Sequence, residues 1–146
     1  MQTISLTLSS DHHRCDELFA QAEDAAAAKD WDKSAAAFQQ FHQGMVRHFA
    51  MEEEVMFPAF EARTGMTMGP TQMMRTEHRQ MEQLFQAMAD ALQARDSENY
   101  LGQSETLLML MQQHNLKEEN ILYPMAEQVL GDEQDQVVQR MNAVNG

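Results

Sequence analysis

The chain has 146 residues, which is enough for one domain with its own apolar core. Ten Lys and Arg stand against 23 Asp and Glu, and the resulting formal charge of −13 argues against nucleic acid or an anionic membrane surface as a partner. The single cysteine, Cys15, excludes an internal disulfide. With no signal-peptide pattern and no apolar run near the roughly 20 residues of a membrane span, we expect a cytoplasmic protein.

The first half of the chain is predicted to form two helices joined by a tight turn. Apolar residues spaced three and four apart indicate a first helix over about residues 7–28 and a second over about 31–63. Lys29 and Asp30 form the turn between them, and Asp30 is suited to the N-cap. Pro58 removes a backbone donor late in the second helix, so we expect a kink or a helix end there.

The second half follows the same plan. The segment TGMTMGP (64–70) interrupts the chain, a third helix follows, and a fourth begins near residue 97 with Ile121 on its inner stripe and Pro124 late in it. The tail carries apolar residues at helical spacing. Because short turns favour antiparallel neighbours, the predicted fold is an all-α, antiparallel, up-and-down four-helix bundle with a short C-terminal fifth helix.

A shift of 66 residues aligns the two halves of the sequence without a gap. HFAMEEEVMFP (48–58) falls on HNLKEENILYP (114–124), and the stretch around His12 falls on the stretch around His78. The chain is therefore predicted to be a single domain over 1–146, built as an internal duplication of about 1–66 and 67–132 plus a short C-terminal tail.

The repeat divides the six histidines into two kinds. Four of them match a histidine across the shift and lie on the apolar stripes: His12 with His78, and His48 with His114. His13 and His42 have no matching histidine, so we expect them at the surface or behind the site. One histidine on an apolar face is usually only a hydrogen-bonded core residue, but two matched pairs are harder to explain in that way.

Two glutamates share the same stripes. Glu52 lies one turn beyond His48, and Glu118 lies one turn beyond His114. A carboxylate in a helical core is costly unless a cation pairs with it, and these stripes contain no Lys or Arg. Imidazoles or a metal ion remain as partners, and the in-register repeat favours a metal. The predicted ligands are His12, His48, Glu52, His78, His114 and Glu118.

The donor types favour a pair of iron ions. Imidazoles and carboxylates without a thiolate set differ from the usual structural zinc site. Two octahedral ions need twelve donor positions, of which four imidazoles, two bridging glutamates and a bridging oxo or hydroxo group fill ten. Two positions then remain for an exogenous molecule. Iron is the preferred metal, manganese is the rival, and zinc comes third.

Together, four stretches of the chain resemble the hemerythrin-like (HHE cation-binding) family over roughly residues 6–130: DHHR (11–14), HFAMEEEVMFP (48–58), EHRQME (77–82) and HNLKEENILYP (114–124). The resemblance implies an up-and-down four-helix bundle around a non-haem di-iron centre. It also implies the six residues above as ligands, with both glutamates bridging the irons.

The chain departs from the oxygen-carrying hemerythrins, which have five histidines. Their HxxxH pair on the third helix is absent, since Met74 and Glu82 lie one turn before and after His78. Their HxxxxD on the fourth helix is replaced by HxxxE. The pattern is similar to the branch of the family that is linked to sensing of oxygen or nitric oxide and to repair of iron–sulfur centres under stress.

Three functions follow as hypotheses. The preferred one is a protein that binds or senses O2, NO or peroxide at the di-iron centre. The second is an enzyme, a stress-related oxidoreductase acting on those molecules, or else an iron-donating repair factor for iron–sulfur centres. The third is metal storage or a structural metal site. Met and Phe near the 64–70 loop offer a surface for a homodimer or an unidentified protein partner.

Several carboxylates near the predicted ligands have open roles. Asp16 and Glu82 follow His12 and His78 by four residues, so they are either extra ligands, acceptors for imidazole N–H groups or, as we prefer, solvated side chains. Glu53 and Glu119 lie well off the ligand face, which places them in solvent or behind the ligands. 

Two further side chains lie close to the predicted ligands. Cys15 lies one turn from His12 and is expected to be a small buried thiol rather than a redox group. Tyr123 is able to hydrogen-bond toward the centre, but its matched residue is Phe57, which predicts a packing role alone.

Overall fold

Capping side chains and tight turns set the bounds of the first helices. In the computed structural model, which describes residues 2–145, α1 spans Ile4–Ala27 and α2 spans Trp31–Ala50. Asp30 caps α2 as predicted, since its carboxylate accepts a hydrogen bond from the Lys33 N–H at 3.3 Å. Lys29 takes the left-handed conformation that the turn requires, with φ of 59°.

The second helical pair repeats this turn. Gly65, with φ of 73°, ends the preceding helix, and α4 spans Pro70–Gln93 with Pro70 in its first turn, as the sequence predicts. α5 spans Ser97–Lys117, and the turn before it contains Arg95 at φ of 53°. Lys29 and Arg95 are matched residues, so the same strained turn joins each pair.

The continuous helical segments that begin with α2 and α5 both change their hydrogen-bond pattern before a proline. Each continues as a π-helical segment and then a short α-helix: Met51–Met56 and α3 (Phe57–Thr64), and Glu118–Leu122 and α6 (Tyr123–Leu130). Pro58 and Pro124 lie in the first turn after each π segment, where a missing backbone donor is tolerated. The kink or end expected at the two prolines therefore takes the form of a π segment.

The π segment in the second half differs from the first in which side chains face inward. We expected Ile121 on the inner stripe, but that prediction is wrong, because Ile121 is 56% exposed. The matched residue Val55 also lies in a π segment but is buried, since the C-terminal helix packs against Met51–Met56. Leu122 and Tyr123 are the buried residues there instead.

The helices close into the predicted bundle. α1 packs against α2 and α5, and α4 packs against α5 and α2. After a 3₁₀ turn at Gly131–Glu133, a short α7 (Gln134–Asn142) packs against α1 and the Met51–Met56 segment. The all-α four-helix bundle with a short C-terminal helix is confirmed, and residues 2–145 contain no strand.

Two apolar clusters fill the bundle on either side of a buried polar layer. One cluster is built around Phe41 and Phe85, and the other around Leu8 and Phe60. Many of the methionines belong to these clusters, where their unbranched side chains fill irregular space between helices. Between residues 2 and 145, no helix combines the length and apolar composition of a membrane span.

Candidate metal centre

The six side chains that the repeat brings forward lie together in the polar layer, and none is more than 4% exposed. Their ligand atoms form two groups, each with all atoms within 4.8 Å of one another. The groups are Glu52, His78, His114 and Glu118, and His12, His48 and Glu118. Because Glu118 belongs to both, the arrangement consists of two neighbouring positions that share a carboxylate.

Each of the four imidazoles turns its Nε2 atom toward a buried carboxylate. The distances are 3.0 Å from His78 to Glu52, 3.6 Å from His48 to Glu52, 3.2 Å from His12 to Glu118 and 3.3 Å from His114 to Glu118. Despite these short distances, the Nε2 atoms of His48, His78 and His114 have no hydrogen-bond partner, nor do Glu52 Oε1 and Glu118 Oε2. Buried polar atoms that converge without hydrogen bonds fit a metal ion, because its coordination would satisfy them.

The other ring nitrogen, Nδ1, contacts a further carboxylate in every one of these histidines. The four pairs are His12–Glu119 at 2.6 Å, His48–Asp11 at 3.2 Å, His78–Glu53 at 2.7 Å and His114–Glu77 at 2.7 Å. We call Asp11, Glu53, Glu77 and Glu119 the outer carboxylates. A carboxylate at Nδ1 favours the tautomer with its proton on that nitrogen, which leaves the Nε2 lone pair directed into the cluster.

Sequence reasoning identified only part of this outer layer. Glu53 and Glu119 lie behind histidines, which is one of the two places expected for them. Asp11 and Glu77 were not identified, although a signal existed, since they are matched acidic residues that directly precede the matched histidines. 

Asp16 and Glu82 show that spacing alone is a weak guide to such partners. Both follow a site histidine by four residues, yet both are exposed. The outer carboxylates occupy the Nδ1 positions of those histidines, so the solvated interpretation of Asp16 and Glu82 agrees with the structure.

The hydroxyl of Tyr123 lies in the middle of the cluster. It is 2.6 Å from Glu52 Oε2 and 2.9 Å from Glu118 Oε1, so it can donate to either carboxylate. It also lies 3.2 Å from His12 Nε2. The packing-only role predicted from Phe57 is therefore wrong, because Tyr123 brings a donor to the point where Phe57 supplies only a ring beside His78.

The sequence that forms this site matches a known protein family. A family model described as the hemerythrin HHE cation binding domain matches residues 3–126. The chain belongs to the hemerythrin HHE family. Among curated proteins and among solved structures, no match is found. The buried His and Glu cluster of this hemerythrin domain lies within the matched residues and supplies donors for the cation that the family description specifies.

Protonation in the metal-free hemerythrin domain shows how strongly the cluster favours positive charge. Burial on its own lowers the pKa of His48, but the carboxylates of Glu52, Asp11 and Glu118 outweigh it and raise that pKa to about 10. Burial also lowers the pKa of His78, but the carboxylates of Glu52 and Glu53 outweigh it and raise that pKa to about 9. The carboxylates therefore favour the protonated imidazoles of His48 and His78, and a metal ion that bound their Nε2 atoms would displace protons.

The remaining residues considered from sequence lie outside the cluster. His13 is exposed, and His42 is half-buried between the rings of Phe38 and Phe85. Cys15 is a buried thiol, as predicted, and burial raises its pKa to about 12. A thiol with so high a pKa stays protonated and is a poor nucleophile or metal ligand.

Proposed function

We propose that this hemerythrin domain holds two iron ions and binds a small oxidant or diatomic molecule at them. The proposed ligands are His12, His48, Glu52, His78, His114 and Glu118, with both glutamates and an oxo or hydroxo group as bridges. One observation supports this most strongly: Nε2 atoms and carboxylate oxygens converge in the core without satisfying one another by hydrogen bonds.

The directions of the glutamate oxygens support two ions rather than one. Glu52 Oε1 lies 3.0 Å from His78 Nε2, whereas Glu52 Oε2 lies 3.6 Å from His48 Nε2. The two oxygens of one carboxylate are thus directed at different histidines. Glu118 Oε1 lies between the Nε2 atoms of His12 and His114, at 3.2 and 3.3 Å. These contacts support the proposal that each glutamate bridges the two ions.

The protein residues hold and shield such a centre. Iron in an imidazole and carboxylate site supplies redox change and open coordination positions for a small molecule. The outer carboxylates fix the orientation of the imidazole rings, and the apolar clusters on both sides exclude water. Because none of the six proposed ligands is more than 4% exposed, only a molecule of a few atoms would reach the centre. O2, NO and peroxide meet that limit.

A spectroscopic titration tests the proposed function. Iron-loaded, reduced protein is mixed under argon with O2, NO or hydrogen peroxide in turn, and the absorption spectrum is followed. We expect a charge-transfer band that forms with at least one of them and reverses when the molecule is removed. A structural or storage metal would give no reversible band with any of the three.

Two further assays of the iron-loaded protein separate the alternative functions. Continuous consumption of NO or peroxide in the presence of a reductant would identify an oxidoreductase. Transfer of iron to an apo iron–sulfur protein would identify a repair factor. In both cases the six proposed ligands would be retained, but reversible binding of a small molecule would no longer be the proposed function.

We further infer that the single domain over 1–146 is an internal duplication of about 1–66 and 67–132 with a short tail. Two independent observations support it. Lys29 and Arg95, matched by the shift, share the left-handed conformation. The outer carboxylates also match in pairs, each with the histidine that the shift predicts.

A further inference from the structure

The two halves of the bundle cover their histidines differently on the outer side. Phe49 stacks on the ring of His78, with ring centroids 3.9 Å apart and planes inclined by 15°. The residue matched to Phe49 is Asn115, which lines a groove of about 630 Å³ together with His12. The groove lies between α1 and α5, and we call it the α1–α5 groove. A phenyl ring therefore covers one histidine, while solvent reaches the edge of the other.

The walls of the α1–α5 groove combine an apolar surface with negative charge. Phe19, Leu108 and Leu116 form part of the apolar surface. The groove is also lined by three carboxylates, those of Asp16, Glu23 and Glu119. No Lys or Arg is among its lining residues. Glu119 contacts His12 Nδ1 at 2.6 Å, so the negative charge extends to the edge of the buried cluster.

Two other cavities approach the cluster less closely. One of about 270 Å³ reaches Asp11, and one of about 430 Å³ reaches Glu77. Both touch an outer carboxylate, but neither is lined by a histidine of the cluster. The α1–α5 groove comes nearer to the cluster than these two cavities, because His12 itself lines it.

We propose that the α1–α5 groove is the entry route to the centre and that its carboxylates select neutral molecules over anions. This inference rests on the proposed function, because it names the class of molecule that the site receives. O2, NO and hydrogen peroxide are neutral and enter along the apolar surface. An anion such as azide meets three like charges, and each unit charge slows its entry about threefold at the screening of a wet groove.

A labelling experiment tests the groove without any metal. Diethyl pyrocarbonate, a small neutral reagent for imidazoles, is applied to the metal-free chain, and its adducts are mapped by mass spectrometry. The test variant is Asn115→Phe, which places at position 115 the ring that Phe49 already packs over His78. We expect labelling of His12 to fall about tenfold or more in the variant, since a closed lid excludes the reagent. Half-buried His42, which is outside the groove lining, serves as the internal standard.

A kinetic experiment tests entry into the iron-loaded protein. Stopped-flow absorbance gives the association rate of NO with the reduced protein. We expect Asn115→Phe to slow it about tenfold or more, with unchanged iron content and an unchanged final spectrum. The control variants Ser10→Phe and Thr76→Phe add the same bulk at the cavities beside Asp11 and Glu77, and we expect the wild-type rate from both.

The outcomes separate this inference from the proposed function. Equal labelling of His12 in wild type and Asn115→Phe would overturn the route, and so would slower NO entry in Ser10→Phe or Thr76→Phe. If the wild type binds none of O2, NO and peroxide, the proposed function fails, while the labelling result still decides whether the groove leads to His12.

The charge selection has its own test. Asp16→Asn should speed azide association about threefold and leave NO association unchanged, and Glu17→Gln, an exposed neighbour outside the groove lining, should change neither. Higher ionic strength should speed azide entry in the wild type, because salt screens repulsion between like charges. An equal effect of Asp16→Asn on azide and NO would overturn the selection of neutral molecules.

Discussion

The α1–α2 half and the α4–α5 half contribute the same polar groups to the centre but surround them differently. Each half supplies two histidines, one buried glutamate and two outer carboxylates. Around this shared set, Phe57 in one half corresponds to Tyr123 in the other, and Phe49 corresponds to Asn115. The candidate ligands and the outer carboxylates are therefore arranged symmetrically in the two halves. The residues packed around them differ, so the two groups of ligand atoms have unequal surroundings.

The largest expected effect tests the symmetric part. In the proposed centre, Glu52→Ala and Glu118→Ala each remove a donor that serves both ions, so we expect either variant to fall from two irons to fewer than one per chain. Metal content by mass spectrometry on folded protein measures this, and Glu82→Ala, an exposed neighbour, should keep the wild-type content. Retention of both irons by either variant would contradict bridging by that glutamate.

The outer carboxylates should show the same symmetry with a smaller effect. Asp11→Asn and Glu77→Gln weaken the orientation of His48 and His114, and each should lower metal affinity by about 10–100-fold. Competition with a chelator gives the affinities, with the exposed Glu105→Gln as control. If only one of the two variants loses affinity, the halves differ in this layer as well.

Tyr123 sharpens the asymmetric part of the comparison. In the metal-free protein, Tyr123→Phe removes the hydroxyl that donates to Glu52 or Glu118, and the free energy of unfolding should fall by about 1–3 kcal/mol. The loss should shrink with metal bound, because the carboxylates then have other partners.

Urea denaturation of both forms measures the role of this hydroxyl. Tyr100→Phe is the matched control, since the buried Tyr100 hydroxyl has no hydrogen-bond partner and its removal should cost nothing. Equal losses in the two variants would assign Tyr123 to packing alone.

The smallest effect concerns a close helix contact found in one half. A Cβ added at Gly44 would lie 3.4 Å from Cys15 Sγ, whereas one added at Gly102 meets nothing within 4 Å. Both glycines lie inside helices, so Gly102→Ala should raise the free energy of unfolding by about 0.5–1 kcal/mol. Gly44→Ala should gain less, and a larger gain than at Gly102 would show that the contact is not tight. Urea denaturation measures both.

Much of the fold could be predicted from the sequence because helix periodicity and the 66-residue shift are local or linear signals. The burial of His12, His48, His78 and His114 follows from the same two signals. Contacts between helices could not be derived in this way. Asp11 reaches His48 from another helix, and only the folded bundle brings Glu119 to His12.

The repeat also misled where the halves diverge. Tyr123 was predicted to act only in packing, because its matched residue Phe57 has no hydroxyl and we assumed that matched residues have the same role. Ile121 is exposed although its match Val55 is buried, because α7 packs against the π segment that contains Val55, and the repeat does not anticipate that contact. The residues that distinguish the surroundings of the two ligand groups were therefore the hardest to predict.

The number of metal ions tests the central claim most directly. Protein purified without oxygen is analysed for metal content by mass spectrometry, with protein concentration from amino-acid analysis. Two irons per chain would support a centre in which Glu52 and Glu118 bridge two positions. One zinc per chain, or no bound metal, would contradict it and leave the buried histidines and glutamates as a structural layer of the bundle.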